Sequence, residues 1–154
     1  MPVFISHRSA DDDKAQSIGW KLKRRGILCY LDHFDPSLRP ARHITALLVD
    51  RIRACTHLMA LITNATRNSW WVPFEVGVAR EAPRRISSYD YGTARLPEFL
   101  TEWPVLSSDA DLDAFATAYH RDVAGKPFGE RRAAQDIRTP GQFHAVLKAA
   151  LGQH

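Results

Sequence analysis

One carboxylate, Glu75, stands four residues after Trp71 in the run Asn68-Ser69-Trp70-Trp71-Val72-Pro73-Phe74-Glu75. Pro73 is best tolerated in the first turn of a helix, where its missing N–H costs nothing. The run therefore reads as a buried strand giving way to a helix, with Glu75 expected in or near the first turn. There the positive end of the helix dipole favours an ionised carboxylate. Strand ends in α/β proteins open toward the ligand crevice. An ionised glutamate beside an aromatic wall at such an edge suits a reaction that develops positive charge. The plain alternative is a helix-start glutamate that only complements the dipole.

The elements that must position this residue alternate between strand and helix. Val3-Phe4-Ile5 is a short apolar run. Ser9 with Asp12 predicts a helix start, reinforced by Asp11 and Asp13. Ala15, Ile18 and Leu22 then trace one face, and Gly26 after Lys23-Arg24-Arg25 is a C-terminal stop. Ile27 to Leu31 predicts a second strand, and Asp32 to Pro40 a loop. Ile44, Leu47, Leu48 and Ile52 recur at helical spacing, and Leu58 to Ile62 is a third strand leading to Glu75. Continuously apolar strands are those covered on both faces. Repeated strand–helix units of this length imply a parallel sheet with right-handed crossovers. Further on, Arg84 to Tyr89 predicts a polar fourth strand, and Leu96 to Leu106 a connection ending in a short one. Ser108 with Asp111 predicts a helix through His120. Thr139-Pro140-Gly141-Gln142 predicts a last helix bearing Phe143, Val146, Leu147 and Leu151. Ala124 to Asp136 reads as an exposed loop between them. The expectation is one domain over residues 1–154, with a core over 3–106 and terminal helices from about 108.

Composition is ordinary for a globular chain, with 45% apolar and 25% charged residues in 154. The longest apolar run, Leu58 to Ile62, is far too short to cross a bilayer, and no charged-then-apolar leader precedes Val3. Cys29 and Cys55 resemble neither a disulfide scaffold nor a zinc site. A cytoplasmic, reducing location and no membrane association are the expectation. The formal charge of +4 comes with a pI near 9.3. It suits an anionic ligand such as a dinucleotide, because arginine grips phosphate in two-pronged fashion; scattered arginines that only solvate the surface would give the same charge. No basic run is interleaved with aromatics, so nucleic acid is not an expected partner. There is neither a P-loop nor a Gly-rich dinucleotide fingerprint, and no nucleophile elbow. His33 and Asp35 have ligand-like spacing, yet two residues on a proline-bounded loop are weak grounds for a metal. No metal is expected.

The order of these elements, with their local residues, resembles the TIR (Toll/interleukin-1 receptor-like) domain. Val3-Phe4-Ile5-Ser6-His7-Arg8 is similar to its opening strand, and Arg25-Gly26-Ile27 through Leu31-Asp32 to its second strand, which ends in an acid. Ser69-x-Trp71-x-x-x-Glu75 resembles the segment that holds the catalytic glutamate of enzymatic TIR domains. The resemblance covers about residues 3–106. It implies a flavodoxin-like parallel sheet of about five strands, flanked by helices on both faces. Many bacterial TIR domains cleave the nicotinamide–ribose bond of NAD, as NAD glycohydrolases releasing ADP-ribose or as cyclases making a cyclic isomer that signals. Bacterial members often serve in defence against phage. The resemblance further implies NAD as substrate rather than cofactor, homo-oligomers through TIR–TIR contacts, and an upstream sensor or downstream effector as partner.

The chemistry also stands without the family. Breaking an N-glycosidic bond to a cationic nicotinamide leaves an oxocarbenium-like ribose, as in glycoside cleavage. The leaving group departs neutral, so no general acid is required. One carboxylate suffices, and an unperturbed glutamate with a pKa of about 4.3 is ionised at neutral pH. Glu75 is the candidate catalytic residue. By resemblance, Arg8 sits where some TIR enzymes use an arginine near the nucleotide. Ser6 and His7 share that strand end and could bond a ribose or phosphate, although His7 is also consistent with a plain loop histidine. Asp32 closes the second strand at the same edge, to orient ligand or loop, or to cap a turn. Trp71 is expected to wall the nicotinamide pocket, though a tryptophan beside another is usually core; Trp70 is the favoured core residue of the pair, with the reverse left open.

The loop Asp35-Pro36-Ser37-Leu38-Arg39-Pro40 departs from the family, lacking its usual glycine and carrying two prolines. In TIR assemblies that loop reaches a neighbouring subunit, so the geometry of assembly is open. Two other function classes compete. One is a non-catalytic TIR interaction module, an adaptor that keeps Glu75 as a surface acid. The other is a nucleoside glycosyl-transferring enzyme on a similar sheet, separable by a substrate panel.

Overall fold

The computed structural model describes residues 2–31, 41–92, 95–124 and 139–154. Five strands, β1 (Val3–Ser6), β2 (Cys29–Leu31), β3 (His57–Ile62), β4 (Arg85–Asp90) and β5 (Val105–Leu106), form one sheet in the order β2-β1-β3-β4-β5. Every pairing is parallel. The helices are α1 (Asp12–Lys23), α2 (Ala41–Ala54), α3 (Trp71–Glu81), α4 (Asp109–Ala124) and α5 (Pro140–Ala150). This is the flavodoxin-like arrangement that the sequence predicts.

Alternation along the central strands divides the core in two. Val3, Ile5, Met59 and Leu61 pack with Ala15, Ile18 and Leu22 of α1, Leu112 and Phe115 of α4, and Phe143 and Leu147 of α5. Phe4, Leu58, Ala60 and Ile62 pack on the opposite face with Leu48 and Ile52 of α2 and Val72 and Val76 of α3. All six residues of β3 are buried, as a strand covered on both sides requires.

The second strand is shorter than predicted. Ile27 is buried and Val3 N–H donates to Leu28 O at 2.8 Å, but ladder pairing begins only at Cys29. Asp32 and the loop 35–40 lie outside the described residues, as does the segment after Ala124 read as a loop. The polar fourth strand forms as predicted. Ser87 and Ser88 are fully buried in it, and Ile86 N–H donates to His144 Nε2 of α5 at 2.9 Å. Both late helix starts follow their sequence signals. Asp111 N–H bonds Ser108 Oγ while Ser108 N–H bonds Asp111 Oδ2, and Thr139 with Gln142 closes a capping box. The edge strand β5 is covered by one side chain: the Gln153 amide accepts from Val105 N–H at 3.0 Å and donates to Val105 O.

Gly26, with φ of +75°, ends α1 in the left-handed region that glycine enters without steric cost. The start of α1 differs from expectation. Ser9–Asp11 forms a short 3-10 turn, and neither Arg8 nor Asp11 makes a side-chain cap bond. Asp11 instead points inward and is buried.

At the amino edge of the sheet, α4 and α5 close over a buried ionic cluster. Arg85, the first residue of β4, donates to Asp122 Oδ1 at 2.9 Å. His57, the first residue of β3, lies between the rings of Tyr119 and Phe143 at 4.9 and 4.8 Å. Its Nε2 is 3.5 Å from Asp122 Oδ2, and neither of these two atoms has a hydrogen bond. The carboxylate would favour an imidazolium, but burial opposes it and dominates. Burial first, then the Arg85 guanidinium, push His57 down to about 3, so the ring is neutral.

Candidate active site

The connections from β1 and β3 leave toward opposite faces, since α1 packs in one core and α3 in the other. In a sheet of this order the crevice therefore opens at the carboxyl ends of β1 and β3. Ser6 is the last residue of β1, and Thr63 directly follows β3.

Glu75 reaches this crevice from α3. It is buried, and its Oε2 accepts a hydrogen bond from Ser6 Oγ, 69 residues away in sequence. The helix begins at Trp71, so Pro73 is its third residue and Glu75 its fifth, just beyond the first turn. The helix start owes its geometry to Ser69, whose Oγ accepts from Val72 N–H at 3.3 Å. The dipole fades within the first turn. The Ser6 hydroxyl, more than the dipole, is what receives the Glu75 carboxylate.

The neighbouring aromatics correct an expectation. Trp70 is 90% exposed and is not a core residue. Trp71, 38% exposed, lies edge-to-face with Phe74 at 6.1 Å. The helix turns Val72, Glu75, Val76 and Ala79 inward and leaves Trp71 and Phe74 at the surface. Trp71 and Glu75, four apart, lie along one side of the helix.

His7 turns into the fold, its side chain 1% exposed. Nδ1 donates to Ile5 O at 3.1 Å and Nε2 meets Asp12 Oδ1 at 2.9 Å. Arg8 is part-buried and donates to Ala65 O at 3.1 Å, tying the segment after β1 to the segment after β3. The structure thus brings Ser6 and Glu75 together and sets Arg8 beside the β3–α3 connection. It commits both nitrogens of His7 to protein oxygens.

Four further residues at this edge, Asp11, Lys14, Thr63 and Tyr91, are absent from the sequence reading as site residues. Thr63 Oγ1 donates to Asp11 Oδ2 at 2.6 Å, and both residues are buried. Lys14 Nζ holds the other oxygen at 2.9 Å. Tyr91, just after β4, is pushed up to about 12 by burial, then by Tyr89 and Asp11. It stays a phenol, donating to Lys14 O at 3.4 Å. Among the described residues no group of three or more His, Cys, Asp or Glu side chains could hold a metal ion. No helix among them is long and apolar enough to cross a membrane.

A search of curated proteins finds no match. The family model for the TIR domain matches residues 3–121, past the predicted extent and through most of α4. With the parallel sheet in flavodoxin-like order and the crevice between β1 and β3, the chain belongs to the TIR domain family.

Proposed function

We propose that this TIR domain breaks the nicotinamide–ribose bond of NAD, with Glu75 as the catalytic carboxylate. The observation that carries the reading is the contact of Glu75 on α3 with Ser6 at the end of β1, at the strand pair where the strand order reverses. As the C1′–N bond breaks, its electron pair leaves with nicotinamide, which departs neutral. The carboxylate faces the ribosyl cation or holds its hydroxyls. Water then adds to C1′ and yields ADP-ribose, or a nucleophile of the same nucleotide closes a cyclic isomer. Ser6 orients the carboxylate, Arg8 approaches the phosphates and Trp71 offers a ring to the nicotinamide. Fixed charge aimed at a developing cation is the largest single contribution many enzymes make. The cellular setting that fits this chemistry is a cytoplasmic antiviral response, with copies associating through TIR–TIR contacts and a sensor or effector protein as partner.

Chromatography of NAD incubated with purified protein tests the proposal. Nicotinamide release is expected, with ADP-ribose or its cyclic isomer as second product. Glu75→Gln is expected to lower the rate at least about 100-fold and to leave the folded circular dichroism spectrum unchanged. An active Glu75→Gln protein refutes the assignment.

A second reading has its own observation. Trp70, Trp71 and Phe74 place large apolar rings at the surface around one helix start, as an adaptor that binds other TIR domains would. Wild-type protein that is inert even when concentrated or crowded favours that reading.

A further inference from the structure

We infer that Asp11 and Thr63 are positioning residues for Glu75, a reading that rests on the proposed NAD cleavage. The two segments that frame the crevice, the one after β1 and the one after β3, are cross-linked at named atoms. Ser6 bonds Glu75, Arg8 bonds Ala65 O, and Thr63 Oγ1 bonds Asp11 Oδ2. The last of these is the most enclosed, with Asp11 2% and Thr63 3% exposed.

Thr63 is used twice. Its hydroxyl hydrogen goes to Asp11, and its oxygen accepts from Ala65 N–H at 3.1 Å at the start of the 3-10 turn Asn64–Asn68. Thr66 completes that turn, accepting from Thr63 N–H at 3.1 Å and donating to Leu61 O at 3.0 Å. Ser69 N–H then bonds Thr66 O, and Ser69 starts α3. A continuous chain of bonds runs from Asp11 through Thr63, Thr66 and Ser69 to the helix that carries Glu75. Asp11 is itself fixed from the other side by Lys14, whose ammonium lies 5.8 Å over the Tyr91 ring. The strap thereby joins the carboxyl ends of β1, β3 and β4. An unpaired buried carboxylate would be costly, so these partners lock Asp11 in one place. Catalytic groups lose much of their effect when displaced by about an ångström. The placement of Glu75 opposite Ser6 depends on this strap.

Thr63→Val removes the hydroxyl and keeps the shape; Thr63→Ser keeps the hydroxyl. Initial rates of nicotinamide release across NAD concentrations, with hydrogen exchange of the Ala65, Thr66 and Ser69 amides, separate the outcomes. Thr63→Val is expected to lower kcat about 10-fold to 100-fold with KM within about twofold, and to speed exchange of those amides. Thr63→Ser is expected to return kcat to within about threefold of wild type. A Thr63→Val protein with wild-type kcat, a change confined to KM, or a Thr63→Ser protein as impaired as the valine variant overturns the inference. Absence of nicotinamide release from wild-type protein refutes the reading beneath it and appears before any variant is compared. In that case the exchange rates still decide the strap, and unchanged amide exchange in Thr63→Val refutes it independently.

Discussion

The two edges of the sheet each bury carboxylates, and they hold them by different means. At the carboxyl edge Glu75 accepts from the Ser6 hydroxyl, and Asp11 from the Thr63 hydroxyl and the Lys14 ammonium. At the amino edge Asp122 is gripped by the Arg85 guanidinium, with neutral His57 against its second oxygen. A hydroxyl donor carries no charge, so exchanging the Ser6 hydroxyl for another hydroxyl strands no ion. Arg85 has no such substitute, since removing either partner leaves a buried charge uncompensated. At the carboxyl edge the hydroxyl contacts tie the ends of β1 and β3 to the segments that follow them; at the amino edge the Arg85–Asp122 and Ile86–His144 contacts fasten α4 and α5 to the sheet.

The largest effect that would break this comparison lies at the fastened edge. Arg85→Ala is expected to cost about 3–5 kcal/mol of unfolding free energy in urea titration, as for other broken buried pairs. Glu75→Gln, in the same assay, is expected to stay within about 1.5 kcal/mol of wild type. Equal losses would erase the distinction between the edges.

Acid should act next, and mainly through the same edge. His57 is held down to about 3, by burial first, and His144 to about 4, again by burial before the charges of Arg85 and Lys148. Below pH 6.5 the unfolded chain binds protons that the folded protein refuses. The stability these neutral rings contribute is therefore full above pH 6.5 and is lost as pH falls toward 3. For the fully buried His57 this amounts to about 3 kcal/mol between pH 6.5 and 4. Urea midpoints measured across that window are expected to fall, and His57→Asn is expected to flatten the slope. A flat wild-type profile would mean that the ring is charged in the folded state.

The smallest effect sharpens the other edge. Trp70→Ser is expected to change unfolding free energy by less than about 0.5 kcal/mol, because the ring is 90% exposed. A larger loss would show that Trp70 packs against something after all.

The same contrast explains what was legible in the sequence. β1 and β3 could be read because both faces are covered and their residues are apolar without interruption, and the caps at Ser108 and Thr139 could be read because they are local. The parallel sense of the sheet followed from the repeated units, and its order from the resemblance to the TIR domain. The adjacent tryptophans misled, since which neighbouring residue faces the core depends on where α3 begins, and the Ser69 bond at that start is one no periodicity reports. Asp11 was hidden for a related reason. Asp11, Asp12 and Asp13 are chemically identical, and only the fold selects the first of them by bringing Thr63, 52 residues distant, to its side chain. The place of Glu75 beyond the first turn likewise became visible only with the helix start at Trp71.

Gln153 has a consequence for handling the protein. One side-chain amide stands in for a neighbouring peptide group along the outer border of β5. Trimming the last two residues would leave that border's donor and acceptor open to a strand from another molecule. A truncated chain is then expected to self-associate by sheet extension, an assembly unrelated to any property of the chain that keeps Gln153.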